Sequence, residues 1–116
     1  MNMKLSEIIK QLDLTTQTKT PDLKVGVTGG YVSDMLSDVM ANTNKGNIWI
    51  TLQIHQNTVA VAVLKELAGI ILINGKQPAA ETIHKAEQEN IPIMSTELSA
   101  FDLICKLCKL GISGSS

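Results

Sequence analysis

A chain of 116 residues, 44% hydrophobic and 18% charged, has the composition of one globular domain and leaves no room for a second. Aromatic residues are only 3%, so the core must be aliphatic and stacking platforms for bases are scarce. The net charge is -1 and all ten basic residues are Lys, which argues against a nucleic-acid or anionic-membrane surface and removes the bidentate guanidinium grip on phosphate.

In chain order, Leu5, Ile8, Ile9 and Leu12 form the stripe of a short amphipathic helix, capped by Ser6 or the residues before it. Residues 13–18 read as a brief edge strand and Thr20-Pro21-Asp22 as a turn. Residues 25–32 are expected to be a strand ending in a paired-glycine bend. Ser33 is then expected as the N-cap of a helix carrying Met35, Leu36, Val39 and Met40, with Asp34 in its first turn. Strand 47–52 follows, then helix 55–67 presenting Val59, Val63, Leu64 and Leu67. Strand 69–73, helix 79–89 with Ile83 and Ala86 inward, strand 91–94 and helix 98–110 complete the chain.

Such alternation predicts an α/β fold: a layered, mostly parallel sheet of about five short strands, with right-handed crossovers and flanking helices. Residues 1–112 are expected to form a single domain and 113–116 a flexible tail. The start of the chain has no apolar signal region and no run long enough to span a membrane, so a cytoplasmic protein without membrane contact is expected.

Ligands of open α/β sheets bind beyond the carboxyl ends of the strands. Thr28, Gly29, Gly30, Thr51, Gln53, His55, Asn74, Gly75, Ser95 and Thr96 are expected at those ends, a set of hydroxyls, amides and glycines suited to holding a small ligand. Paired acids and bases are missing from it, so no catalytic residue is assigned. His55 is the one plausible catalyst, but a polar His near a helix start is the plainer reading. His84 is expected at the surface between Glu81 and Glu87, and Trp49 in the core rather than as a sugar platform.

Gly69 to Gly75-Lys76-Gln77 departs from the phosphate-loop spacing and lacks its hydroxyl, which argues against phosphoryl transfer. Cys105 and Cys108 form a single C-x-x-C near a helix end, too few ligands for a closed zinc site. Incidental thiols are expected, and no metal or cofactor.

Thr28-Gly29-Gly30, with residues 31–40, 46–51, 69–78 and 91–96, resembles the DRTGG domain family, and the similarity runs from Lys4 to Ile112. Gly26-Val27 stand where the family name has Asp-Arg, so no role of that pair carries over. The resemblance implies a small α/β regulatory or interaction module. Such modules occur within phosphotransacetylases, between CBS domains of some pyrophosphatases, and alone, some encoded beside iron hydrogenases in anaerobes. It also implies similarity to the amino-terminal domain of HPr kinase/phosphorylase, which lacks that enzyme's kinase loop, and a distant fold-level likeness to the uridine-nucleotide-binding domain of Mur ligases.

Two expectations result. One is a non-catalytic homodimeric module acting through a partner protein, such as a hydrogenase-related or other metabolic enzyme. The alternative is a sensor of a small ligand, for instance a nucleotide, at the strand ends near Thr28-Gly29-Gly30. An enzyme is the third and weakest reading.

Overall fold

The computed structural model describes residues 2–19 and 22–114, so Thr20 and Pro21 of the expected turn and Ser115 and Ser116 of the expected tail lie outside the described residues. Ten elements follow in order: α1 Leu5–Leu12, β1 Thr15–Thr16, β2 Gly29–Val32, α2 Leu36–Asn42, β3 Asn47–Thr51, α3 Asn57–Lys65, β4 Gly69–Leu72, α4 Ala80–Gln88, β5 Ile93–Ser95 and α5 Ala100–Lys109. The five-stranded sheet has the order β1-β5-β4-β3-β2, parallel except for β1, which pairs antiparallel with β5. The chain therefore steps from β2 to β5 in one direction across the sheet. Right-handed crossovers then put the three connecting helices on one face.

The core divides accordingly. Trp49, Ile70, Leu72 and Ile93 meet Val39 of α2, Val59 and Ala62 of α3 and Ala86 of α4 on one face. Ile48, Ile50, Ile71 and Met94 meet Leu5 and Ile8 of α1 and Leu103 and Leu107 of α5 on the other. Alternate residues of β3 and β4 point to opposite faces, and both faces are covered, so all of β3 and β4 is buried.

Several sequence expectations need correction. The strand expected over 25–32 is divided: Lys4 bridges Gly26 antiparallel, the Val27 amide donates to the Met3 carbonyl, and β2 begins only at Gly29. The Val25 and Leu23 carbonyls accept the amides of Leu5 and Ser6, so backbone groups satisfy the first turn of α1 in place of a side-chain cap. Ser33 does not cap α2. Its hydroxyl accepts the Met35 amide within the turn, Asp34 bonds elsewhere, and the helix starts after Met35.

On α3 the sheet-facing side is Thr58, Val59, Val61 and Ala62, while Val63 and Leu64 are exposed. The small Ala62 lets the helix lie close to the sheet, and the chain leaves the helix at the left-handed Glu66 (φ 54°). Trp49 is buried as expected, its indole N–H donating to the Ser33 carbonyl at 2.8 Å.

Candidate functional site

Strand polarity separates the expected site residues. Parallel pairing sets Gly29 against Asn47 and Val32 against Ile50, so Thr28, Gly29 and Gly30 lie at the amino end of β2. Thr51, Gln53, Asn74, Gly75, Ser95 and Thr96 lie at or beyond the carboxyl ends of β3, β4 and β5, across the full length of the sheet. The placement of Thr28-Gly29-Gly30 at a strand's carboxyl end is thus corrected; the glycines open β2 because residues 25–27 pair with the amino terminus instead.

At the amino end, the Thr28 hydroxyl donates to the Lys45 carbonyl at 2.8 Å and accepts from the Asn47 amide nitrogen at 3.0 Å. Gly46 (φ 84°) passes so near that a Cβ there would sit 2.7 Å from the Thr28 methyl. Gly29 has a similar constraint, since a Cβ on it would run into the Gly114 carbonyl oxygen. The Gly30 amide donates to the Ser113 carbonyl at 3.0 Å, which lays residues 113–114 along the outer edge of β2. A groove of about 550 Å³ opens beside Thr28, between the start of α1 and Gly111 to Ser113.

At the carboxyl ends of β2 and β3, Asp34 Oδ1 accepts the Thr51 hydroxyl and the Leu52 amide, both at 2.8 Å. Thr51 Oγ1 accepts the Gln53 amide, and the Gln53 side chain donates to the Asp34 carbonyl at 2.9 Å. The His55 ring is exposed, while its carbonyl accepts the amide and hydroxyl of Thr58.

Between β4 and β5 the chain leaves toward opposite faces, α4 to one and α5 to the other. This is the switch point at which doubly wound folds usually open a crevice. Here the two loops close on each other: the Asn74 amide donates to the Leu98 carbonyl and the Gly75 amide to the Thr96 carbonyl. Gly75 (φ 68°) is held against the Glu97 carboxylate, which a Cβ would meet at 2.8 Å. Ser95 is buried, with Oγ accepting the Gln17 side-chain amide at 2.8 Å, and the Thr96 hydroxyl accepts the Leu98 amide. An open groove of about 560 Å³ lies beyond them, with Asp13, Gln77 and Lys106 on its walls.

One further cluster went unread in the sequence. The Tyr31 hydroxyl sits 2.9 Å from both oxygens of Asp38, whose Oδ1 also accepts from the Asn42 side-chain Nδ2 at 2.8 Å. Hydrogen bonding by Ser33, then by Tyr31 and Asn42, holds the Asp38 carboxyl below its usual range. The same bond to Asp38, with burial and the negative charge, raises Tyr31 above 10.

A third feature is apolar. Phe101, 82% exposed, stands on the outer face of α5, and a 290 Å³ groove runs between α5 and β2, walled by Val32, Ile50, Ile104 and Cys108. Its sequence signal was the spacing of Phe101, Ile104, Cys105 and Cys108, a second stripe beside Leu103 and Leu107.

The architecture is that of an α/β domain with a five-stranded, mostly parallel sheet. Among solved structures, the chain is similar to the CBS and DRTGG domains of the regulatory region of Clostridium perfringens pyrophosphatase, a structure complexed with the activator diadenosine tetraphosphate. The TM-score is 0.73 at 19% sequence identity, over 89% of this chain and 45% of that one. The chain thus spans less than half the length of this neighbour, and the likeness is one of fold. No protein-family model matches the sequence, and no curated protein matches it. Among the described residues, no helix is long and apolar enough to cross a membrane.

Proposed function

We propose that this chain is a non-catalytic regulatory module that self-associates and acts by contact with a partner protein. One observation carries the reading: the polar side chains Thr28, Thr51, Gln53, Ser95 and Thr96 each bond within the fold, whereas large apolar side chains are left at the surface. Met35 is 64% exposed, Leu64 70% and Phe101 82%, which favours a surface built to be covered by protein. The fold shared with a pyrophosphatase regulatory region supports the same reading. A cytoplasmic location fits the exposed free thiols of Cys105 and Cys108, which a reducing compartment keeps reduced. A metabolic enzyme, hydrogenase-related or other, remains the proposed partner on the strength of the resemblance to DRTGG domains. Light scattering across a concentration series tests self-association: a dimer is expected, and a monomer at high concentration overturns it.

The second reading is nucleotide sensing, favoured by the diadenosine tetraphosphate in the neighbouring structure. In this chain it would draw on the exposed His55, Asn74 and Lys76 at the carboxyl ends, or on the groove beside Thr28. Calorimetry with diadenosine tetraphosphate and with mononucleotides decides it. At a hundredfold excess over the dissociation constant, a bound ligand stabilises the fold by about 2.7 kcal/mol, and an unchanged melting temperature rejects the reading.

A further inference from the structure

We propose that a second copy of this chain covers the outer face of α5, the two α5 helices lying antiparallel about a two-fold axis with Phe101 of each copy seated in the groove beside α5 of the other. The proposal rests on the self-association reading and assigns it a surface.

Helix α5 carries two apolar stripes. Leu103 and Leu107 are buried against the sheet, while Phe101, Ile104, Cys105 and Cys108 recur at i, i+3, i+4 and i+7: Ile104 and Cys108 border the groove toward β2, and Phe101 and Cys105 are exposed beside them. Of that second stripe only Ile104 packs against the chain's own core; Phe101, Cys105 and Cys108 are exposed and have no such role in a monomer. The groove beside that stripe, about 290 Å³ with Val32 47% exposed at its rim, has room for an aromatic ring. Phe101 stands outside the groove, but Ile104 and Cys108 of the same helix wall it, so knob and groove share one element, as an isologous two-fold contact requires.

Charge sets the direction. Asp102 lies in the first turn of α5, and Lys106 and Lys109 lie in the last. An antiparallel pair brings Asp102 toward the partner's Lys109 and opposes the helix dipoles, whereas a parallel pair sets lysine against lysine. Register then follows from helical rise. With the axis passing near Cys105, Phe101 lies about 6 Å to one side of it. That places the ring opposite the last turn of the partner helix, where Cys108 walls the groove. The two Cys105 thiols consequently approach each other at the axis.

The test uses the full chain in four forms: wild type, Phe101→Asp, Asp102→Lys, and the charge swap Asp102→Lys with Lys109→Asp. Dimer dissociation is followed by analytical ultracentrifugation, and Trp49 fluorescence reports whether each variant is folded. Phe101 and Asp102 are exposed, so the fold should persist. Phe101→Asp is expected to weaken dimerisation at least about 30-fold, the effect of losing an interface hot spot. Asp102→Lys should weaken it less, and the swap should restore it. A short bis-maleimide on the Cys108→Ser variant should link two copies through Cys105. If wild type dimerises but Phe101→Asp dimerises equally well and Cys105 does not cross-link, the surface is wrong while self-association stands. A monomeric wild type overturns both.

Discussion

Asp34 and Thr51 join the carboxyl ends of β2 and β3: one carboxylate oxygen accepts the buried Thr51 hydroxyl at 2.8 Å and, at the same distance, the Leu52 amide. The link explains why α2 starts late, since a residue that would otherwise sit in its first turn is engaged across the sheet. It also shows how a polar strand end becomes structural: donors and acceptors that a ligand would need are matched to each other.

Thr51→Val removes that hydroxyl at nearly constant volume and leaves Asp34 with one donor fewer and the Gln53 amide without its acceptor. Urea denaturation should show a loss of about 1–3 kcal/mol, the range for breaking a buried hydrogen bond from one side. Thr51→Ser should recover most of it. A change within experimental scatter for Thr51→Val would mean that the network contributes little.

Tyr31 and Asp38 impose a pH window on stability. The Asp38 pKa is lowered on folding, so its contribution is present above the unfolded value of about 3.9 and disappears as pH falls through the folded pKa. The Tyr31 pKa is raised, so its contribution is present below about 10 and disappears as pH rises through the folded pKa. Both groups reach solvent, and the effects should be shallow. Tyr31→Phe should move the Asp38 titration, followed by carboxyl NMR, toward the ordinary aspartate value. An unmoved titration would show that the hydroxyl does not hold the carboxylate.

Gly46 and Gly111 both have positive φ, 84° and 93°, but their surroundings differ. Gly46 faces the Thr28 side chain, whereas a Cβ on Gly111 would meet nothing within 4 Å. Gly111→Ala should therefore cost only the backbone strain, about 1–2 kcal/mol. Gly46→Ala adds a clash and should cost more, with part of the excess recovered when Thr28→Ala is combined with it. Equal melting temperatures for the two single variants would contradict this.

Gly29 and Gly30 divide in the same way. A Cβ on Gly29 meets the Gly114 carbonyl, while one on Gly30 has 3.8 Å to its nearest neighbour. Gly29→Ala should detach residues 113–114 from the edge of β2, read as faster hydrogen exchange of the Gly30 amide, which donates to Ser113. Gly30→Ala should leave the exchange of its neighbours nearly unchanged. Similar behaviour of the two variants would refute the edge packing.

Much of the fold is legible in the sequence. The aliphatic run Ile70-Ile71-Leu72-Ile73 announced a strand covered on both faces, and the spacing of Leu5, Ile8 and Leu12 announced α1. Even the brief edge strand at Thr15-Thr16 showed through its β-branched residues. Residues 25–27 misled because β-branched residues beside glycine look alike whether they extend β2 or pair with Met3 and Lys4. The exposure of Phe101 is not legible in the sequence, since the period of a helix fixes how its faces relate but not which face has a neighbour.

The residue sequence, then, determined the alternation of elements, the burial of Trp49 and the scarcity of acid–base pairs, because these follow from composition and from periods of two and 3.6 residues. Tertiary structure alone decided that Thr28 and Thr51 stand at opposite ends of the sheet, that Asp34 turns to β3, and that the outer stripe of α5 borders an open groove. Those outcomes depend on strand direction and on which distant carbonyls and hydroxyls come within about 3 Å of one another, and local pattern carries no record of either.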